Sequence, residues 1–177
     1  MFDKKKFQLY FVNSLTILRL IIAPIVSYLI FSRLRVEAFV IFLIGVATDL
    51  LDGDLARRFN VTSKLGEFLD ALADLTLTYS AIIPLFILNE FPHLIKICCV
   101  VATFLAIIAI IKHSLKNKKF TFPRRKASTT INSYFLYTAL AFYIIRSPHK
   151  HLIGYLTCLI LALTAFDYFF TSRNNQL

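Results

Sequence analysis

Six of the ten acidic residues of this chain fall between Asp49 and Asp74, inside a sequence that is 58% hydrophobic. Carboxylates are costly to hold in apolar surroundings, so they constrain both the path of the backbone and the purpose of those side chains. With each half of the stretch read as a helix at about 100° per residue, Asp49, Asp52, Gly53 and Ala56 share one face, while Asp54 points the opposite way. Gly66, Asp70 and Asp74 form a single stripe in the same manner. Two helices joined by a short loop then present four carboxylates and two glycines to each other. Four inward-facing hard oxygen donors suit divalent cations such as Mg²⁺ or Mn²⁺. Glu67 lies close to the stripe in angle, and helical spacing alone does not exclude it.

The surrounding sequence sets the architecture. A length of 177 residues fits one domain, 1–177, and a mean hydropathy of +0.69 points to a multi-pass membrane protein rather than a soluble globule. The predicted fold class is all-α, an integral membrane bundle of six transmembrane helices with spans near 11–31, 35–56, 65–88, 94–111, 127–145 and 152–171. Ahead of the first span, Lys4, Lys5 and Lys6 precede Phe7, Leu9, Tyr10 and Phe11, the pattern of a short amphipathic segment lying on an anionic membrane face. No small-residue cleavage site follows it. In the second span only 38–48 is cleanly apolar, and eleven residues do not cross a bilayer, so the rest must border a water-accessible cavity. The third span mirrors it, with Asp70 and Asp74 in its first third. Pro24 is expected to kink the first span, and Gly154 suits close packing of helices.

Basic residues give the orientation. Fourteen Lys and Arg fall on the side of the N-terminus and five on the other, with Arg19 inside the first span. The richer side is the cytoplasmic one, which puts both termini and the Asp49–Asp74 hairpin there. The net charge of +10 is therefore matched to anionic lipid heads and phosphate groups, and nucleic acid is not the expected partner. The longest polar connection, 112–126, holds seven basic residues and ends in Arg124, Arg125 and Lys126 beside the fifth span. An arginine pair there can grip a phosphate bidentately, or the run is simply a topology signal.

Other residues carry less. Asn13, Thr16 and Arg19 recur at three-residue spacing, either anchoring the helix end or lining the polar cavity. Asp167, an intramembrane carboxylate in the sixth span, is read as the partner of Arg19, each neutralising the other. Cys98, Cys99 and Cys158 lie in apolar runs as small core residues without a disulfide. His93, His113, His149 and His151 share no ligand spacing, and the sequon at Asn60 falls in a cytoplasmic loop.

The pattern D-x-x-D-G-x-x-A-R-(x)8-G-x-x-x-D-x-x-x-D, filled by Asp49, Asp52, Gly53, Ala56, Arg57, Gly66, Asp70 and Asp74, resembles the signature of the CDP-alcohol phosphatidyltransferases. A chance match at all eight positions is on the order of 10⁻⁹ per start site. The resemblance implies metal-dependent transfer of a phosphatidyl group from CDP-diacylglycerol to an alcohol, with release of CMP, in the bacterial cytoplasmic membrane. It implies two Mg²⁺ or Mn²⁺ ions on Asp49, Asp52, Asp70 and Asp74, with Asp74 also the catalytic base. Gly53, Ala56, Arg57 and Gly66 then bind the CDP donor, and a homodimer is the expected assembly. The short length and the run Asn13-Ser14-Leu15-Thr16-Ile17-Leu18-Arg19 resemble the phosphatidylglycerophosphate and cardiolipin synthases of this family. Those often end the motif D-P-x-A-D-K, where this chain has Ala71 and Leu75 in place of the Pro and the Lys. Glycerol 3-phosphate is the first-choice acceptor, its phosphate bound by Arg124, Arg125 and Lys126; phosphatidylglycerol and inositol phosphate are the alternatives. A reading from a different class is a non-catalytic cation transporter, which has no need of Gly53, Ala56, Arg57 and Gly66 in this order.

Overall fold

The computed structural model describes residues 4–59, 64–117 and 127–174, with side chains over 14–51, at 66, over 68–108, at 111 and over 132–164. All the regular structure among them is helical: α1 (Lys4–Phe31), α2 (Arg35–Phe59), α3 (Lys64–Ile87), α4 (His93–Asn117), α5 (Ala127–Ile144) and α6 (Lys150–Asn174). These helices follow the six predicted segments closely. Helix α1 runs without a break from Lys4, so the segment expected to lie on the membrane face is continuous with the first span. Nothing between Lys4 and Ala23 is a Gly or a Pro, so no residue there favours stopping the helix. Helix α1 also continues through Pro24, and α3 through Pro84.

Among the described residues, two helical stretches are long and apolar enough to cross a membrane, 14–31 of α1 and 68–87 of α3. Shorter apolar stretches occupy 93–108 of α4 and 150–164 of α6. Large apolar side chains are exposed in rows, as Ile17, Ile21, Ile25 and Tyr28 are along α1. Water-facing surfaces do not carry such rows, whereas hydrocarbon-facing ones do. The hydroxyls of Thr48, Thr76, Ser80, Thr103, Thr138 and Thr157 each donate to a carbonyl three or four residues earlier in their own helix. Such back-bonding satisfies a hydroxyl where no water is at hand.

Two helices close with the same backbone device. Arg33 takes a left-handed φ of 61°, its N–H donates to the Ile30 carbonyl and the Leu34 N–H donates to the Leu29 carbonyl. At the end of α5, Arg146 has φ 56°, with Arg146 N–H on Tyr143 O and Ser147 N–H on Phe142 O. These are Schellman caps, and they satisfy carbonyls that the helix end would otherwise leave bare. An arginine holds the position that glycine most often fills.

The chain divides after Leu88 into two compact units. In the first, α1 packs along both α2 and α3, which touch each other at few points. Its core is built from stripes at helical spacing: Ile22, Val26 and Ile30 on α1, Ala38 and Phe42 on α2, and Ala73, Leu77, Ala81 and Leu85 on α3. Gly45 lies at the tightest point, where an added Cβ would come within 2.9 Å of Leu77 Cδ1 and 3.3 Å of Ile22 Cγ2.

In the second unit α6 packs against α5 and α4. Asn132 Nδ2 donates to Thr164 Oγ1 at 2.6 Å, tying α5 to α6. The mostly buried carboxylate of Glu90, in the turn before α4, is paired with Arg146 and lies 3.4 Å from Lys150 Nζ. Tyr143, fully buried, packs edge-on against Phe91 with centroids 4.7 Å apart, and its hydroxyl is 3.2 Å from His151 Nδ1. Gly154 makes this possible: a Cβ there would stand 2.6 Å from Ile95 Cδ1 and 2.9 Å from the Tyr143 hydroxyl. Gly154→Val should therefore lower the melting temperature in detergent, because overpacking a filled core costs about 1–3 kcal/mol. A variant as stable as the wild type would show that the α4, α5 and α6 contact has room to spare.

Candidate functional site

The core stripes of the first unit do not end in solvent; they run into charge. On α2 the buried sequence Ala38, Phe42, Gly45 is extended by Thr48 and Asp49. On α3 the stripe of Leu77 and Ala73 is extended by Asp74 and Asp70, and on α1 the stripe of Val26 and Ile22 is extended by Arg19 and Thr16. The helical repeat that builds the core therefore also aims these polar side chains inward. The side chain of Asp49 is 11% exposed, that of Asp74 9% and that of Asp70 38%, while Arg19 has no exposed surface.

Arg19 is the centre of the arrangement. Its Nη1 lies 2.6 Å from Asp74 Oδ1, 3.2 Å from Asp70 Oδ1 and 3.3 Å from Asp49 Oδ1. It donates hydrogen bonds to the Asp74 and Asp70 oxygens. A guanidinium on α1 thus stands between one carboxylate of α2 and two of α3. Three negative charges against one positive leave a net charge of −2 on this group.

This geometry answers several expectations from the sequence. Asp49, Asp70 and Asp74 do come together, each offering an oxygen within 4.8 Å of the others. Asp52 falls on the same stripe of α2 as Asp49, but its side chain lies outside the described residues, as do those of Gly53, Asp54, Ala56, Arg57, Glu67 and Asp167. Arg124, Arg125 and Lys126 lie outside the described residues altogether. Gly66 sits in the first turn of α3, partly exposed. One feature differs from expectation. The site is not a bare α2–α3 hairpin, since α1 runs between the two and contributes to it. Arg19, for which the sequence offers Asp167 as a partner, stands against Asp49, Asp70 and Asp74; the side chain of Asp167 lies outside the described residues. The spacing of Thr16 and Arg19 carried the signal for the polar cavity, and both are buried there. Gly45 was not singled out, although its position on the Asp49 stripe pointed to the packing that brings α2 onto α1 and α3.

The donor set fits a hard divalent cation. Oxygens opposite one another around Mg²⁺ stand about 4.2 Å apart, so three oxygens within 4.8 Å need only a small rotation of their side chains to share an ion. The carboxylates are anchored on two helices, which limits the cluster to small adjustments.

Several known proteins are similar to part of this chain. A Mycobacterium tuberculosis protein named probable phosphatidylglycerophosphate synthase is 40% identical over 86 residues, 45% of this chain and 41% of that protein. A Wigglesworthia glossinidia brevipalpis protein named CDP-diacylglycerol–glycerol-3-phosphate 3-phosphatidyltransferase is 42% identical over 82 residues, covering 45% and 43% of the two chains. A Schizosaccharomyces pombe fusion protein, named cardiolipin synthase (CMP-forming) and mitochondrial hydrolase, is 45% identical over 65 residues, which are 37% of this chain and 11% of its own. The matches span less than half the length of these curated relatives. The match to a family described as CDP-alcohol phosphatidyltransferase extends much further, over residues 9–166, and with three of its four motif carboxylates gathered around one point the chain belongs to that family.

Proposed function

We propose that the protein is a membrane enzyme that transfers the phosphatidyl group of CDP-diacylglycerol to glycerol 3-phosphate, releasing CMP, and that residues 1–177 act as one domain. The observation that carries this reading is the convergence of Asp49, Asp70 and Asp74 within 4.8 Å, at the positions of the family motif. The match over 9–166 runs through both compact units, which supports a single functional domain. Relatives named for the glycerol-3-phosphate reaction in Wigglesworthia and Aquifex aeolicus favour that acceptor over phosphatidylglycerol or inositol phosphate. All six helices are assigned to a membrane bundle, with the active site and both termini on the Lys- and Arg-rich cytoplasmic side of a bacterial cytoplasmic membrane. A homodimer is the assembly that the family resemblance implies.

In the proposed mechanism Asp49, Asp52, Asp70 and Asp74 would hold two divalent cations, Mg²⁺ or Mn²⁺. When bound, these would supply charge neutralisation for the diphosphate and for the departing CMP. Gly53, Ala56 and Gly66 lack bulk, which lets the nucleotide approach the backbone of α2 and α3 closely. Arg57 offsets phosphate charge on the donor. Arg124, Arg125 and Lys126 bind the phosphate of the acceptor through charge-assisted hydrogen bonds. Asp74 takes the proton from the acceptor hydroxyl as that oxygen bonds to the phosphatidyl phosphorus, and the bond from that phosphorus to CMP breaks. Asp74 suits the role by position, because its buried carboxylate belongs to the cluster itself.

The direct test is an acceptor panel with CDP-diacylglycerol, scored by CMP release. Glycerol 3-phosphate should give the fastest turnover, and CMP release with no acceptor preferred would refute the assignment. Asp49→Asn, Asp52→Asn and Asp70→Asn should each abolish or severely reduce that turnover in protein that still inserts, whereas Asp54→Asn on the opposite helix face should be mild. Equal damage from Asp54→Asn would overturn the face assignment.

Neutralising Arg124 or Arg125 should raise KM for glycerol 3-phosphate about ten- to a hundredfold, the equivalent of roughly 1.5–3 kcal/mol, with KM for CDP-diacylglycerol nearly unchanged. Asp74→Asn should instead lower kcat, because a base acts in the transition state. An acceptor KM that does not move would reduce the triplet to a topology signal. For orientation, a cysteine at Asn60 or Asn117 in a background lacking the native cysteines should be labelled only from the cytoplasmic side, and one at Asn89 only from outside. Labelling of Asn60 from outside would refute the placement of the site.

A further inference from the structure

Arg19 lies outside the motif, on a different helix, and yet it makes the shortest contacts in the site. Its Nη1 is shared among Asp49 Oδ1, Asp70 Oδ1 and Asp74 Oδ1, the same carboxylates that lie close enough to hold an ion. A nitrogen 2.6–3.3 Å from three oxygens occupies much the same ground as a metal about 2.1 Å from them. Hydrogen bonds from Nη1 also use the lone pairs of Asp70 and Asp74 that face the centre of the cluster. A guanidinium nitrogen and an ion that reach for the same three oxygens exclude one another from the space between them.

We propose that Arg19 is the resident counter-ion of the carboxylate cluster and alternates with the divalent cation for the same oxygens. In the metal-free protein the guanidinium holds α2 and α3 onto α1 through their carboxylates. When the ion binds, Nη1 withdraws from those oxygens and the ion takes over the bridging. Arg19 is then a positioning residue that keeps the cluster assembled without metal and sets how tightly metal is held. The proposal rests on the cation chemistry put forward above.

The test uses Mn²⁺ as the probe, with binding followed by electron paramagnetic resonance on the purified full chain. Arg19→Gln should bind Mn²⁺ about tenfold more tightly than wild type or better, because no competitor is left for the oxygens. It should also melt at a lower temperature than wild type without metal, and recover when Mn²⁺ is added. A second measurement needs only the wild type. The arginine reagent phenylglyoxal, mapped by peptide mass spectrometry, should spare Arg19 in the metal-free protein, where it has no exposed surface, and modify it once Mn²⁺ is bound. Wild type that binds Mn²⁺ while Arg19 stays equally protected, or Arg19→Gln that binds Mn²⁺ no more tightly, overturns the alternation and leaves the cation chemistry standing. Wild type that binds no Mn²⁺ while still releasing CMP removes the cation chemistry, and the alternation with it.

Discussion

A guanidinium with no exposed surface, within 3.3 Å of three carboxylates drawn from two other helices, is the contact on which the first unit depends. Carboxylates this close repel one another, and in poorly solvated surroundings the repulsion would push α2 and α3 apart. The charge of Arg19 changes the sign of the interaction. It also explains the order of packing, because α1 must run between α2 and α3 for one side chain to reach both. Removing Arg19 would leave the mostly buried carboxylates of Asp49 and Asp74 without their counter-charge, and the loss of such a buried partner costs about 3–5 kcal/mol. The group keeps a net charge of −2, so it is assembled and yet still attractive to a divalent cation.

The apolar part of the unit positions this charge. Stripes of Ile22 and Val26, of Ala38 and Phe42, and of Leu77 and Ala81 pack at helical spacing, and the polar residues continue the same stripes. A carboxylate on the next turn of a packed stripe has little freedom in direction. Gly45 allows the close approach that brings the three stripes together. The site is thus an extension of the core, and its precision comes from core packing rather than from a loop.

The surroundings reverse the rule of soluble proteins. Rows of exposed Ile, Leu and Phe cover the helices, while serine and threonine hydroxyls turn back onto their own carbonyls. The helix ends at Arg33 and Arg146 are closed by the chain's own backbone. The hydroxyls follow one constraint, that polar groups find partners within the protein where the surroundings offer none.

Much of this was legible in the sequence. The helices follow from long apolar runs bounded by Ser32-Arg33, by Asn89 to Pro92 and by Ser147-Pro148, where turn-forming residues interrupt the pattern. The shared faces of Asp70 and Asp74, and the placing of Asp49 apart from Asp54, are properties of the 3.6-residue repeat, which is local. Family membership rests on the spacing of eight residues and needs no coordinates. Which helix lies beside which is another matter. Arg19 is separated from Asp70 by 51 positions and from Asp74 by 55, and nothing local in the sequence joins them. Electroneutrality asks only for an opposite charge and does not say which one. Only the tertiary packing of α1 between α2 and α3 decided that Arg19 belongs to the motif carboxylates, because a contact between distant segments depends on how whole helix faces fit together.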